Sequence, residues 1–386
     1  MSHSSRASST LLGLSLADER ALCMRSGVDL RKLCILLQRV MWGIHQADVI
    51  RIDVEKVLTK LRASFPELFL VDLAEGYVHW TSGRFAEADA ALARARARVS
   101  TEHPFAYLMP TDEEWSRAPR PGVLVEVVPG SVWRLATFRT PSLRPWLETN
   151  ATIIRRKCGG LILMNPGKIE PDVLTQIRQL GELTHIVTPV KFHNLFIEEA
   201  TRAFPNAKNV GTPGHGQNPA SKHLKFDGIL NDESPLFPGE FDQLTVHGFE
   251  LGEVLFFHRA SRTLLVNDLL FSNRRGCGVP FEMRLYAFAF GLHNRVGIPS
   301  YHPLLWLNLK RMQACIRRAL EWDFDRVSLA HGPWQAVGPG ARDELANALK
   351  WFLELSPGGM YRRMGTFFYR QPTFLRDFVA FKARGG

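Results

Sequence analysis

Cysteine is scarce and scattered in this sequence. Cys23, Cys34, Cys158, Cys277 and Cys315 are all it has among 386 residues, and no two of them form a Cys-x-x-Cys pair. That argues against a disulfide framework and against a cysteine-built zinc site, and it fits a reducing, cytoplasmic compartment. Long apolar runs are missing as well: no stretch approaches the ~20 residues that a membrane-spanning helix needs. The leucine-rich piece at residues 11–16 is short, and Asp18-Glu19-Arg20 follows at once. Residues 1–17 therefore read as a flexible N terminus rather than a removable leader. Nor does the sequence hold a Gly-x-Ser-x-Gly elbow, a phosphate-binding loop or a Gly-x-Gly-x-x-Gly fingerprint. Their absence argues against the common serine hydrolases and nucleotide binders.

What is present is the composition of a soluble globular protein, 45% apolar and 22% charged, long enough for one large domain and a smaller one. The net charge of +10 is unevenly placed. Residues 357–386 hold Arg362, Arg363, Arg370, Arg376, Lys382 and Arg384 against Asp377 alone, so half the surplus sits in this tail. Tyr361, Phe367, Phe368, Tyr369, Phe374, Phe378 and Phe381 are interleaved with those cations. Such a pattern suits single-stranded nucleic acid or an anionic membrane surface. The favoured alternative is that the rings dock on the main domain while Arg and Lys face water.

Residues 18–105 carry apolar positions at three- and four-residue spacing, which predicts helix nearly throughout. Gly76-Tyr77, then Gly83-Arg84-Phe85-Ala86-Glu87-Ala88, resembles the core of a tetratricopeptide repeat (TPR). Gly76 and Ala88 would let two helices approach closely, with Phe85 wedged between them. A fainter copy lies at Trp42-Gly43, with Gly43 and Gly76 33 residues apart. Paired helices of this kind present a groove, so a protein partner is one expectation; a helical cap packed on the main domain is the other.

The Pro-rich stretch at 106–121 reads as a linker. After it, residues 123–128, 132–138, 151–155 and 160–164 read as strands, and helix follows from Pro171 to Leu180 with proline in its first turn. Further strands are expected at 207–210, 244–247 and 254–258, the last joined to 264–266 by a hairpin at Ala260-Ser261. Helices are expected at 195–204, 281–293, 303–322 and 341–355.

Three stretches carry the chemistry. Thr263-Leu264-Leu265-Val266-Asn267-Asp268-Leu269-Leu270-Phe271 is an apolar strand that ends on one carboxylate. A buried carboxylate needs a cation nearby. Thr188-Pro189-Val190-Lys191-Phe192-His193-Asn194 and Val327-Ser328-Leu329-Ala330-His331-Gly332-Pro333 each follow an apolar run and supply candidates. Together these stretches resemble the metallo-β-lactamase-like superfamily over residues ~122–355. They resemble more closely a reduced-motif family of unknown function, through Phe256-Phe257-His258-Arg259-Ala260-Ser261-Arg262-Thr263-Leu264-Leu265. The resemblance implies an α/β fold, an αββα four-layer sandwich over residues 122–356, preceded by the all-α TPR-like domain and followed by the 357–386 tail.

The resemblance also implies two metal sites with separate ligand sets. At the first set's positions this chain has Pro189, Lys191 and Phe249, none of them a metal ligand. At the second set's positions it has His193, Asp268 and His331. Two imidazoles and one carboxylate leave open positions on zinc, iron(II) or manganese(II), the pattern of a catalytic site. The implied function is a single-metal hydrolase using a metal-bound water on a small-molecule ester, thioester, amide or phosphoester, a choice that fold cannot make. His258 or Asn194 would hold substrate or orient a ligand, with Lys191 beside them.

The competing expectation is a Lys191–Asp268 ion pair that satisfies the carboxylate with no metal. The chain would then be a catalytically inactive scaffold that binds a protein partner through its N-terminal helices. Thr212-Pro213-Gly214-His215 spells a superfamily phrase but comes too soon after His193, and reads as a loop. His293 and His302 read as helix-end or core residues. Asn165-Pro166-Gly167 stands where the superfamily has Asp-x-Gly, so that carboxylate is lost.

Overall fold

The computed structural model describes residues 16–45, 53–82, 84–112, 124–137, 149–215, 221–272, 288–289, 292, 296–332 and 340–370. Five helices come first: α1 (Leu16–Ser26), α2 (Leu30–His45), α3 (Val54–Ser64), α4 (Phe69–Thr81) and α5 (Phe85–Arg98). Asp53 starts α3 by accepting the Lys56 amide at 3.0 Å, which satisfies one of the donors a helix start leaves open. The helices close on a core that includes Leu33, Leu37, Leu61, Phe69 and Tyr77. Buried Ala88, Ala91 and Ala95 let α5 lie close on α4. Phe85 does not wedge between them as expected; at 50% exposure it faces water at the start of α5.

One charge is enclosed in this bundle. Asp72 of α4 is fully buried and accepts from Arg62 (3.0 Å), Arg94 (3.2 Å) and Arg98 (2.9 Å). The guanidinium groups come from α3 and α5, so the carboxylate ties three helices together. A buried charge is tolerated on those terms.

The bundle core does not stop at the helices. Phe271, Phe288, Ala289 and Leu292 belong to it. Gln38 of α2 donates to the Ala289 carbonyl at 2.6 Å, and Phe105 meets Phe288 edge-on at 5.1 Å. This face of the bundle is therefore filled by the chain's own later residues.

The remainder is one long sheet with helices on both outer faces. Its strands are β1 (Leu124–Val128), β2 (Val132–Thr137), β3 (Thr149–Arg155), β4 (Leu161–Met164), β5 (Leu183–Val187), β6 (Lys208–Gly211), β7 (Gly228–Ile229), β8 (Phe241–Thr245), β9 (Val254–His258), β10 (Thr263–Ser272), β11 (Val296–Gly297) and β12 (Arg326–His331). The hydrogen-bonded order runs β7-β6-β5-β4-β3-β12-β10-β9-β8, with β2 beside β3, β1 beside β2 and β11 beside β10. Among the described residues, strands β3 and β12 share a single pair, His331 with Thr149. The sheet is thus two halves meeting at a narrow junction.

The core clusters show how the halves stack. Ile154, Ile162, Val187 and Val210 of the first half pack with Phe241, Val254, Phe256 and Leu265 of the second. The first half's other face carries α6 (Pro171–Leu180) and α7 (Ile197–Ala203), through Val173, Ile177 and Ala200. The second half's other face carries α8 (Leu309–Ala319) and α9 (Ala341–Leu353), through Met312, Ile316, Leu345 and Leu349. Helix, sheet, sheet, helix is the αββα order expected above.

Helix α10 (Pro357–Arg370) opens the basic tail. Met360 joins the second half's core and the Arg363 guanidinium lies 4.2 Å from the Trp351 ring centre, while Tyr361 is exposed. Residues 371–386 lie outside the described residues, as does most of the helix expected at 281–293. No described helix is long and apolar enough to cross a membrane.

Candidate metal centre

His193, Asp268 and His331 come together where the two half-sheets meet. Strand β5 ends at Val187, and the loop after it is held by its backbone: the Val254 amide donates to Pro189 O at 2.8 Å and the Lys191 amide to Leu251 O at 3.2 Å. His193 sits on this loop. Asp268 lies within β10, where register against β12 is broken between Val266 and Phe271. His331 is the last residue of β12. Its neighbour Gly332 has φ +95°, and a Cβ there would stand 2.2 Å from Ser272 O, so only glycine fits.

The three ligand atoms form a small triangle. His193 Nε2 and His331 Nε2 each lie 2.9 Å from Asp268 Oδ1, and 3.2 Å from each other. Neighbouring ligands of a tetrahedral zinc, each at ~2.0–2.1 Å, stand roughly 3.3 Å apart. The donor set and its spacing fit a divalent cation. The side chains are 11%, 10% and 6% exposed for His193, Asp268 and His331, so all three are largely shielded from water.

Asn165 decides which way His193 faces. Its Nδ2 donates to Asn150 O at 2.9 Å, which leaves Oδ1 as the atom toward His193 Nδ1, at short range. An amide oxygen only accepts, so His193 Nδ1 carries the proton. Nε2 is then the atom that faces Asp268 and His331, a lone pair when the ring is neutral and a second donor when it is charged. Asn165 itself has φ +57°, a conformation asparagine tolerates better than most residues. Asn150 braces the same corner, with Nδ2 donating to Leu329 O (3.0 Å) and Gly332 O (2.8 Å) on either side of His331.

Glu253 is fully buried behind Asp268. Its Oε1 accepts the Asn267 amide and its Oε2 the Leu269 amide, both at 2.7 Å. Burial, and then the Asp268 charge, pushes its carboxyl up to about 8 against the pull of those amides. Burial raises Asp268 as well, but the His193 and His331 imidazoles outweigh it and hold that carboxyl well below the ordinary range.

A family profile described as a domain of unknown function, DUF4336, matches residues 146–280. That segment lies inside the 122–355 stretch in which the reduced motif was read. No curated protein matches the chain. Among solved structures it is similar to the DIM-1 metallo-β-lactamase, at 14% identity and a TM-score of 0.43, with 61% of this chain and 97% of that one covered. It is similar also to metallo-β-lactamases from Pontibacter korlensis (16% identity, TM-score 0.43, 60% and 99% covered) and Hirschia baltica (12% identity, TM-score 0.42, 59% and 98% covered).

Two sequence expectations are corrected by the geometry. Lys191 does not pair with Asp268: its Nζ lies 3.9 Å from Glu250 Oε1, and Asp268 is engaged by the two imidazoles. His258 is not at the site. It pairs with Thr263 at the opposite end of β10, five residues from Asp268, which is about 17 Å along a strand. Its Nδ1 is bonded to Ser261 Oγ at 2.7 Å, so it anchors the hairpin. The His215 imidazole caps its own turn, Nδ1 accepting the Thr212 amide at 2.9 Å, as a loop reading implies. In the sequence Asn165 stands out only for the carboxylate it lacks. Glu253 had no local signal except its place one residue after Gly252.

Proposed function

We propose that the chain is a single-metal hydrolase in which His193, Asp268 and His331 hold one divalent cation. The observation that carries this is the triangle itself, together with the tautomer that Asn165 imposes. Two imidazole nitrogens and one carboxylate oxygen converge within 3.2 Å, with Asn165 turning His193 Nε2 toward the other two. A buried carboxylate calls for a cation, and this donor set and spacing suit a divalent metal. A bound cation supplies Lewis acidity and, for zinc, a coordinated water whose pKa falls to ~7.

The chain's own residues do the rest. Asn165 orients His193, and Asn150 fixes the strand end that carries His331. Phe271 lies against the His331 ring at 4.5 Å and excludes water from that side. The substrate would be a small ester, thioester, amide or phosphoester.

The test is metal content of protein purified without a histidine tag after growth with added zinc, iron or manganese. About one equivalent is expected, together with hydrolysis of a generic substrate panel that chelation abolishes and metal restores. Less than about 0.2 equivalents overturns the reading. The triad would then be a hydrogen-bonded His–Asp–His core cluster, and the chain a scaffold whose N-terminal helices bind a protein partner.

A further inference from the structure

We propose that Glu253 is a positioning residue for the Asp268 carboxylate, acting through the backbone on either side of it. This rests on the single-metal reading above. Strand β10 pairs with β12 through Thr263–Val266, opposite residues 326–329, and again only at Phe271, opposite His331. On its other edge β10 pairs with β9 through Thr263–Leu265 alone, and with β11 only from Phe271. Among the described residues, 267–270 therefore have no ladder partner on either edge, and all four are buried.

Buried amides without acceptors are expensive. Glu253 answers two of them, one with each oxygen, on the two residues that flank Asp268. A carboxyl group is suited to this because both of its oxygens keep a lone pair that can accept, with or without a proton on one of them. The isosteric amide of glutamine would turn an N–H toward one of the two donors, and an apolar side chain would satisfy neither. Local bulges of this kind re-aim a side chain. Here the bulge turns Asp268 Oδ1 to within 2.9 Å of both imidazoles. Glu253 touches neither imidazole; it sets the geometry of the residue that does.

The experiment titrates cobalt(II) into the full-length protein and records affinity and the visible ligand-field spectrum. The wild-type chain is compared with Glu253→Gln, Glu253→Asp and the remote core variant Ile177→Ala. Glu253→Gln is expected to bind cobalt about 10–100-fold more weakly and with an altered spectrum. Glu253→Asp keeps a carboxylate that sits one methylene short. It is expected to fall between Glu253→Gln and wild type, and it serves if the glutamine variant does not fold. Ile177→Ala loses stability but keeps the wild-type affinity and spectrum. Wild-type cobalt binding by a folded Glu253→Gln or Glu253→Asp overturns the proposal and leaves the metal reading standing. Failure of the wild-type chain itself to bind cobalt overturns both.

Discussion

Phe271 lies nearly flat on His331, with ring centres 4.5 Å apart and planes 16° from parallel, and the same side chain belongs to the core of the N-terminal helices. A helical bundle that the sequence presents as a separate binding module therefore reaches the triad through one ring. Docking of the bundle and geometry of the site share an apolar contact. This favours the cap over the open groove for the bundle face in question.

Shared packing of this kind predicts shared unfolding. Phe105→Ala removes the ring that meets Phe288 and should cost about 3–5 kcal/mol. Helical and sheet signals should still be lost in one transition. Chemical denaturation followed by far-ultraviolet dichroism and by tryptophan fluorescence measures both; an early, separate helical phase would contradict the docking.

Asn165→Leu keeps the volume of the side chain but gives His193 Nδ1 nothing to donate to. The imidazole is then free to turn or change tautomer, and metal affinity should fall about 10–100-fold. Calorimetric zinc titration reads this directly. Wild-type affinity would mean that His193 is oriented by something other than the amide.

Gly332→Ala places a methyl group 2.2 Å from Ser272 O at a φ of +95°. The strand end must move, at a cost of more than ~2 kcal/mol, and His331 moves with it. Both a lower melting temperature and weaker metal binding are expected. Loss of stability alone, with intact metal binding, would show that His331 is held independently of the glycine.

Acid should unfold this protein earlier than its carboxylates require. Burial pushes the His215 and His258 imidazoles down to about 4. In the unfolded chain they take up protons near ~6.5. The unfolded state therefore binds protons first. The stability these residues contribute is complete above that value and drains away as the pH falls from ~6.5 toward ~4, on the order of 1–3 kcal/mol for each. His258→Gln, which still reaches Ser261, should flatten the pH dependence of the melting temperature across this window. An unchanged slope would show that His258 is not titrating there.

The strands and helices were legible in the sequence where local pattern and burial agree. Pro171 and Leu180 bound α6 as its proline and its spacing imply, and Val254–His258 is the strand its continuous apolar run predicts. The three residues of the triad were legible as well, because each follows an apolar run. Only His331 ends a strand, however: His193 lies on the loop after β5, and Asp268 lies inside β10, which continues to Ser272 rather than ending at the carboxylate. The residues around the triad were not legible. Asn165 acts through a tautomer and Glu253 through the backbone of residues distant in sequence, so neither announces itself by composition or spacing. Lys191 misled because an ammonium two residues from His193 seems the natural partner for a carboxylate; Glu250, on a separate loop, lies nearer. His258 misled because nearness in sequence to Asp268 does not survive an extended strand.

Among the described residues the two half-sheets share one ladder pair, between His331 and Thr149, and the triad straddles that seam. His193 belongs to one side of it, Asp268 and His331 to the other. An ion gripped by all three would act as a rivet through the sandwich. At one hundred times its dissociation constant it would add ~2.7 kcal/mol against the halves parting. Starving the cell of metal would then loosen the whole molecule along with its chemistry.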